Sequence, residues 1–122
     1  MGEIRRKVTL WGRGRKRVRA LIDTGSSTSY LIESIAKQLY LPKGKPVIVY
    51  DDSGKVKGYK SYAGISLDKS GVAISIELIV VKKQSFPLLI GQDFLQRADV
   101  AVDFVHDKIQ VAKKFRRKKY YR

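Results

Sequence analysis

The chain has 122 residues, 43% of them hydrophobic, enough for one domain with a modest core and too few for two. It contains no cysteine and a single histidine, His106, which leaves no basis for a disulfide framework, thiolate chemistry, a Cys-based zinc site, a histidine triad or a multi-His metal centre. The formal charge is +15, with eight basic side chains within residues 1–19 and seven within 113–122, so the ends are strongly basic and the middle is nearly neutral. No apolar run is long enough to span a bilayer and no basic-then-apolar segment opens the chain, so the expectation is a soluble cytoplasmic protein without a transmembrane segment.

In chain order, residues 3–22 predict a β-hairpin. Val8 and Leu10, then Val18, Ala20 and Ile22, alternate with polar or charged residues, and Gly12-Arg13-Gly14 interrupts them as a turn. The alternation places Arg and Lys on the solvent face, and Trp11 is expected to be a packing aromatic. Thr28 or Ser29 can cap a helix from about Leu31, with Leu31, Ile32, Ile35, Ala36 and Leu39 on one face and Pro42 ending it. Residues 46–50 and 56–63 predict a projecting hairpin around the turn Asp51-Asp52-Ser53-Gly54. A further hairpin is expected from 65–67 and 72–81, a short buried strand from Pro87 to Gly91, a short helix from Asp93, and a closing pair over 100–104 and 108–111.

The stretch Ala20-Leu21-Ile22-Asp23-Thr24-Gly25-Ser26-Ser27 stands apart. An apolar strand delivers a carboxylate into a turn of Thr, Gly and Ser, where it needs hydrogen-bond donors to offset its burial. Gly25 permits a tight turn or a close approach. One such carboxylate cannot act as acid and base together. Metal-free hydrolysis of a peptide needs a second group, and two carboxylates sharing a proton supply both roles.

At these residues the sequence resembles the retropepsin-like aspartic proteases, the single-domain class of retroviral proteases and their cellular relatives of the DNA-damage-inducible type. The resemblance runs over about residues 4–112. It rests on Leu21-Ile22-Asp23-Thr24-Gly25-Ser26-Ser27, on the second signature Leu88-Leu89-Ile90-Gly91-Gln92-Asp93, and on residues 46–63 in the place of the flap. It implies a mainly β, closed-barrel-like acid protease fold with one or two short helices over residues 1–112, followed by a basic C-terminal tail at 113–122. It implies an aspartic endopeptidase with Asp23 as the catalytic carboxylate, Thr24 bonding across to its counterpart, Gly25 admitting substrate backbone, and Ser26 bonding the outer carboxylate oxygen. Ile90 and Gly91 would pack behind the turn. Leu21, Ser27, Thr28, Pro87 and Leu89 would line subsites, and Tyr50, Asp51, Asp52, Ser53 and Gly54 would close over an extended peptide. No metal or cofactor is implied. Asp-Thr-Gly occurs once, so the second Asp must come from another copy in a C2 homodimer.

Three readings stand beside one another at this level: the protease, a catalytically silent module of the same fold that binds nucleic acid or protein through its basic ends, and a small nucleic-acid-binding β-barrel with a coincidental Asp-Thr-Gly. The tail residues Lys113, Lys114, Arg116, Arg117, Lys118, Lys119 and Arg122, with Phe115, Tyr120 and Tyr121, fit either a solvated tail or an anionic partner such as nucleic acid or a membrane surface. His106 and Asp93 are read as a surface residue and a helix-terminal or ion-pair residue.

Overall fold

The computed structural model describes residues 4–51, 54–67 and 72–111. Among these residues the chain is mainly β with two short helices, as expected. Strands β1 (Ile4–Gly12) and β2 (Gly14–Ile22) form the first hairpin, paired from Ile4↔Ile22 to Gly12↔Gly14. Gly14 takes φ 94°, a region that favours glycine, and so allows the tight reversal. Val8, Leu10, Val18, Ala20 and Ile22 are buried while the residues between them are not, so the period-two pattern sets which face enters the core. Trp11 packs outside the core: it lies on the outer face over Gly64, 37% exposed.

The segment after Ser29 differs from expectation. Residues Tyr30–Ile32 form a strand, β3, and the helix α1 spans only Glu33–Gln38, with no side-chain cap. Leu31 and Ile32 do fit a helical face, but β3 lies parallel to β6 and antiparallel to β7, and this pairing overrides the local pattern. The helix ends before Pro42. Tyr40 N–H donates to Lys37 O and Leu41 N–H to Ala36 O, with Tyr40 at φ 51°, which is a Schellman termination with tyrosine where glycine is usual.

Strand β4 (Pro46–Asp51) pairs with β5 (Gly54–Leu67), and β5 pairs onward with β6 (Ile74–Val81). The two strands expected at 56–63 and 65–67 are one continuous strand of 14 residues. Tyr59, Ser61, Ala63, Ile65 and Leu67 all point inward, and the buried Ser61 hydroxyl is satisfied by Pro42 O. Strand β7 (Leu88–Ile90) runs parallel to β2, α2 spans Gln92–Arg97, and β8 (Val100–Asp103) with β9 (Lys108–Val111) forms a separate two-stranded sheet.

The main sheet has the order β1-β2-β7-β3-β6-β5-β4, and β1 also pairs with β5 over Val8–Trp11, so six strands form a ring of pairings with β4 left at the edge. The core inside it includes Leu10, Ile22, Leu31, Ile65, Leu78, Leu88, Ile90 and Phe94. Among the described residues no helix is long and apolar enough to cross a membrane. Asp52, Ser53, the turn at 68–71 and the basic tail at 113–122 lie outside the described residues.

Candidate active site

Within the ring β2 runs parallel to β7, with Ala20↔Leu88, Leu21↔Leu89 and Ile22↔Ile90 in register. Asp23 N–H continues this ladder by donating to Ile90 O at 2.9 Å. The chain then turns: Ser26 N–H donates to Asp23 O (3.2 Å), and Gly25 N–H donates to the Asp23 carboxylate at Oδ1 (2.9 Å). That charge-assisted bond orients a half-exposed carboxylate at the end of β2, just past the buried Ile22. A Cβ on Gly25 would stand 3.2 Å from the same oxygen, so a larger residue would crowd the carboxylate.

Residues 91–93 brace the turn from behind. Gln92 N–H donates to Ser26 O (2.7 Å), Asp93 N–H to Ser27 O (3.2 Å), and the Gln92 side-chain amide to Thr24 O (3.1 Å). A Cβ on Gly91 would meet Thr28 O at 2.5 Å and Ser26 O at 2.7 Å, so only glycine allows the two segments to approach this closely. Ser29 is fully buried. Its hydroxyl donates to Asp93 Oδ1 (2.6 Å) and accepts from Gly91 N–H (3.0 Å), while its own N–H donates to Asp93 Oδ2 (3.1 Å). Phe94 N–H adds a third donor to Asp93 at 2.7 Å.

Ile90 O accepts from Asp23 N–H and Gly91 packs against Ser26 O and Thr28 O, so both meet the Asp23 turn. Ser26 differs from its expected role: in the single chain its hydroxyl donates to Thr28 O (2.7 Å), a local bond that holds the turn rather than the carboxylate. Asp93 lies in the first turn of α2, as a helix-terminal residue should, and it is also the acceptor that fastens Ser29. Sequence reasoning missed Ser29 and Gln92 as supports. Ser29 closes the polar run from Thr24 to Thr28 just before Tyr30-Leu31-Ile32, where a serine reads equally well as a helix cap.

Leu21 and Leu89 are register partners on the less buried face of the sheet, and Tyr30 is the partner of Leu89 on its other side. These three form a row leading away from Asp23, with Tyr30 unanticipated. Tyr30 also borders an open cavity of about 240 Å³ with Val49, Tyr50, Val56, Val81, Lys83 and Gln84, which carries the row to the underside of the β4–β5 hairpin. The Gln84 amide donates to Tyr30 O (3.1 Å) and Pro87 O (3.3 Å), tying the loop before β7 to this wall. Tyr50 is 72% exposed, and Gly54 takes φ 117° in the turn opposite Asp51. Thr28 lines another cavity, of about 440 Å³, with Lys60, Glu77, Asp93 and Arg97. Ser27 is exposed beside the turn and Pro87 is half-buried. Among the described residues, no three His, Cys, Asp or Glu side chains come together as a metal-ligand set.

A strand-borne Asp-Thr-Gly turn, braced by an apolar-apolar-Gly strand within a mainly β fold, fits the retropepsin-like aspartic protease class of fold. Residues 13–97 match the family described as "gag-polyprotein putative aspartyl protease", and the chain belongs to that family. Among solved structures it is similar to EIAV protease complexed with the inhibitor HBY-793, with a TM-score of 0.67 at 21% identity over 81% of this chain and 90% of that one. It is also similar to the retroviral protease-like domain of Ddi1 from Leishmania major, with a TM-score of 0.66 at 18% identity over 90% of each chain. No curated protein sequence matches it.

Proposed function

We propose that the chain is an aspartic endopeptidase that works as a C2 homodimer, with one Asp23 from each copy in a shared site. The observation that carries this reading is the Asp23 carboxylate itself, delivered at the end of β2, oriented by Gly25 N–H and left half-exposed beside the Leu21–Leu89–Tyr30 row. The single Asp-Thr-Gly of the sequence is the reason a second copy is required. Membership of the family and the likeness to an inhibitor-bound protease support it.

Two carboxylates brought together on a symmetry axis cannot both ionise readily, so one stays protonated while the other carries charge. The ionised Asp23 takes a proton from water as its oxygen attacks the scissile carbonyl carbon, and the protonated Asp23 gives its proton to the carbonyl oxygen. The tetrahedral diol that results collapses when a proton passes to the amide nitrogen and the C–N bond breaks. In this reading Thr24 bonds across to the partner turn, and Leu21, Leu89, Pro87 and Tyr30 receive side chains of an extended peptide. The β4–β5 hairpin, with Tyr50 and Gly54, closes over it and adds main-chain hydrogen bonds.

The test compares wild type with Asp23→Asn on a denatured protein substrate from acid to neutral pH. Wild type should cleave, lose activity to a hydroxyl-bearing transition-state mimic, and lose specific activity on dilution as dimers dissociate; the variant should not cleave. In mixtures of the two, activity should fall as the square of the wild-type fraction. A linear fall would refute the shared site, and equal cleavage by both proteins would refute the mechanism. If neither protein cleaves, the catalytically silent module with basic ends becomes the better account.

A further inference from the structure

We propose that the outer face of the β1–β2 hairpin is a binding surface for single-stranded nucleic acid. This rests on features remote from the Asp23 turn and does not depend on the protein's being a protease. Inward-pointing Val8, Leu10, Val18 and Ala20 leave Lys7, Thr9 and Trp11 of β1 facing outward beside Arg19, Arg17 and Arg15 of β2. Lys7 lies directly opposite Arg19, a like-charge pairing that weakens a sheet unless something neutralises it. The hairpin from Ile4 to Ile22 contains no acidic residue, and among the described residues no carboxylate forms an ion pair with Lys7, Arg15 or Arg19. Alternate residues of a strand repeat at about 6.8 Å, so Arg15, Arg17 and Arg19 form a row of cations at a spacing comparable to the phosphate repeat of an extended single strand.

Aromatic rings stand at the tip of this row. The Arg15 guanidinium lies 5.4 Å from the centre of the Trp11 ring, and that of Arg13 lies 5.4 Å from the Tyr40 ring. Both aromatics are among the exposed large side chains of the protein. The tip is also held in place. Arg13 N–H donates to Leu39 O (2.8 Å), and a Cβ on Gly12 would meet Leu41 Cδ2 at 2.5 Å and Leu39 O at 2.7 Å, so the turn is packed onto the end of α1. A positive track ending in fixed aromatic platforms is what a flexible single strand needs: charge for the phosphates and flat faces for unpaired bases.

Two observations favour this partner over others. The indole lies along the sheet over Gly64, whose added Cβ would stand 3.2 Å from Trp11 Cβ, and its Nε1–H donates to Ser66 Oγ (3.1 Å). It is thus laid down for stacking rather than raised for insertion into lipid. Meanwhile β1 is flanked by β5 from Val8 to Trp11, so the hairpin is not a free ribbon that can enter a duplex groove.

Trp11 is the only tryptophan in the chain, so it reports on its own surface without labelling. The full chain is titrated with oligothymidylate at several salt concentrations, following Trp11 emission and anisotropy of a labelled oligonucleotide. Saturable quenching of Trp11 is expected, with affinity that falls as salt rises. The triple variant Lys7→Gln/Arg15→Gln/Arg19→Gln, with the 113–122 tail intact, should flatten the slope of log affinity against log salt by about 2. Trp11→Ala should weaken binding by about tenfold by anisotropy. Arg15→Lys/Arg19→Lys should keep the salt slope, which separates lost charge from disturbed folding. Wild-type affinity and slope in the triple variant would overturn the proposal and assign binding to the tail. So would a Trp11 response to phosphatidylserine vesicles but not to oligothymidylate, duplex binding as tight as single-strand binding with Trp11 unquenched, or no binding at all.

Discussion

Ser29→Ala removes one oxygen atom and tests whether residues 91–93 really hold the Asp23 turn. The hydroxyl lies in a fully buried residue and makes two bonds, one to the Asp93 carboxylate at 2.6 Å and one from Gly91 N–H at 3.0 Å. Losing the charge-assisted bond costs about 1.5–3 kcal/mol, and leaving a buried N–H without an acceptor costs about 1–3 kcal/mol. The two losses share one atom and overlap, so about 3 kcal/mol is expected. For a chain of this size that lowers the melting temperature by on the order of 10 °C. Urea unfolding at one fixed protein concentration measures it, because any dimerisation makes apparent stability depend on concentration. The midpoint should fall with little change in slope. Peptidase activity, where present in wild type, should drop further than the unfolded fraction explains, because the turn carrying Asp23 loses its support. A stability loss below about 0.5 kcal/mol, the range of an ordinary surface change, would refute the argument.

Gly91→Ala attacks the same junction sterically. The new methyl meets two backbone carbonyl oxygens, which cannot swing aside as a flexible side chain can, so a loss of about 1–3 kcal/mol is expected by denaturation. Amide exchange at Gln92 and Asp93, which donate to Ser26 O and Ser27 O, should quicken more than exchange in β5 and β6. In the turn joining β8 and β9, the hydrogen bond with His106 holds the Asp103 carboxyl below its usual range. A lowered carboxyl pKa stabilises the folded form above the unfolded value of about 3.9, and this contribution is lost as pH falls through the lower folded value. His106→Gln should move the Asp103 titration upward by NMR and reduce the acid sensitivity of the β8–β9 turn; an unmoved Asp103 titration would contradict the assignment.

The local pattern of the sequence determined much of this protein. Alternation in 4–22 specified the first hairpin and which face it buries, because side chains of a strand point alternately to its two sides. The Asp23 turn and the apolar-apolar-Gly signature were legible because each needs particular residue types at adjacent positions. What the sequence left undecided depends on partners far away along the chain. Tyr30–Ile32 became a strand because β6 and β7 offered it hydrogen bonds on both sides, and residues 56–67 stayed one strand because β6 pairs with it continuously from Gly58 to Ile65. The link from Ser29 to Asp93, 64 positions apart, has no periodic signature, since a serine that fastens a site reads the same as one that caps a helix. Only the tertiary structure brought β7 beside β2, and that pairing turns an ordinary Asp-Thr-Gly triplet into a braced, oriented carboxylate.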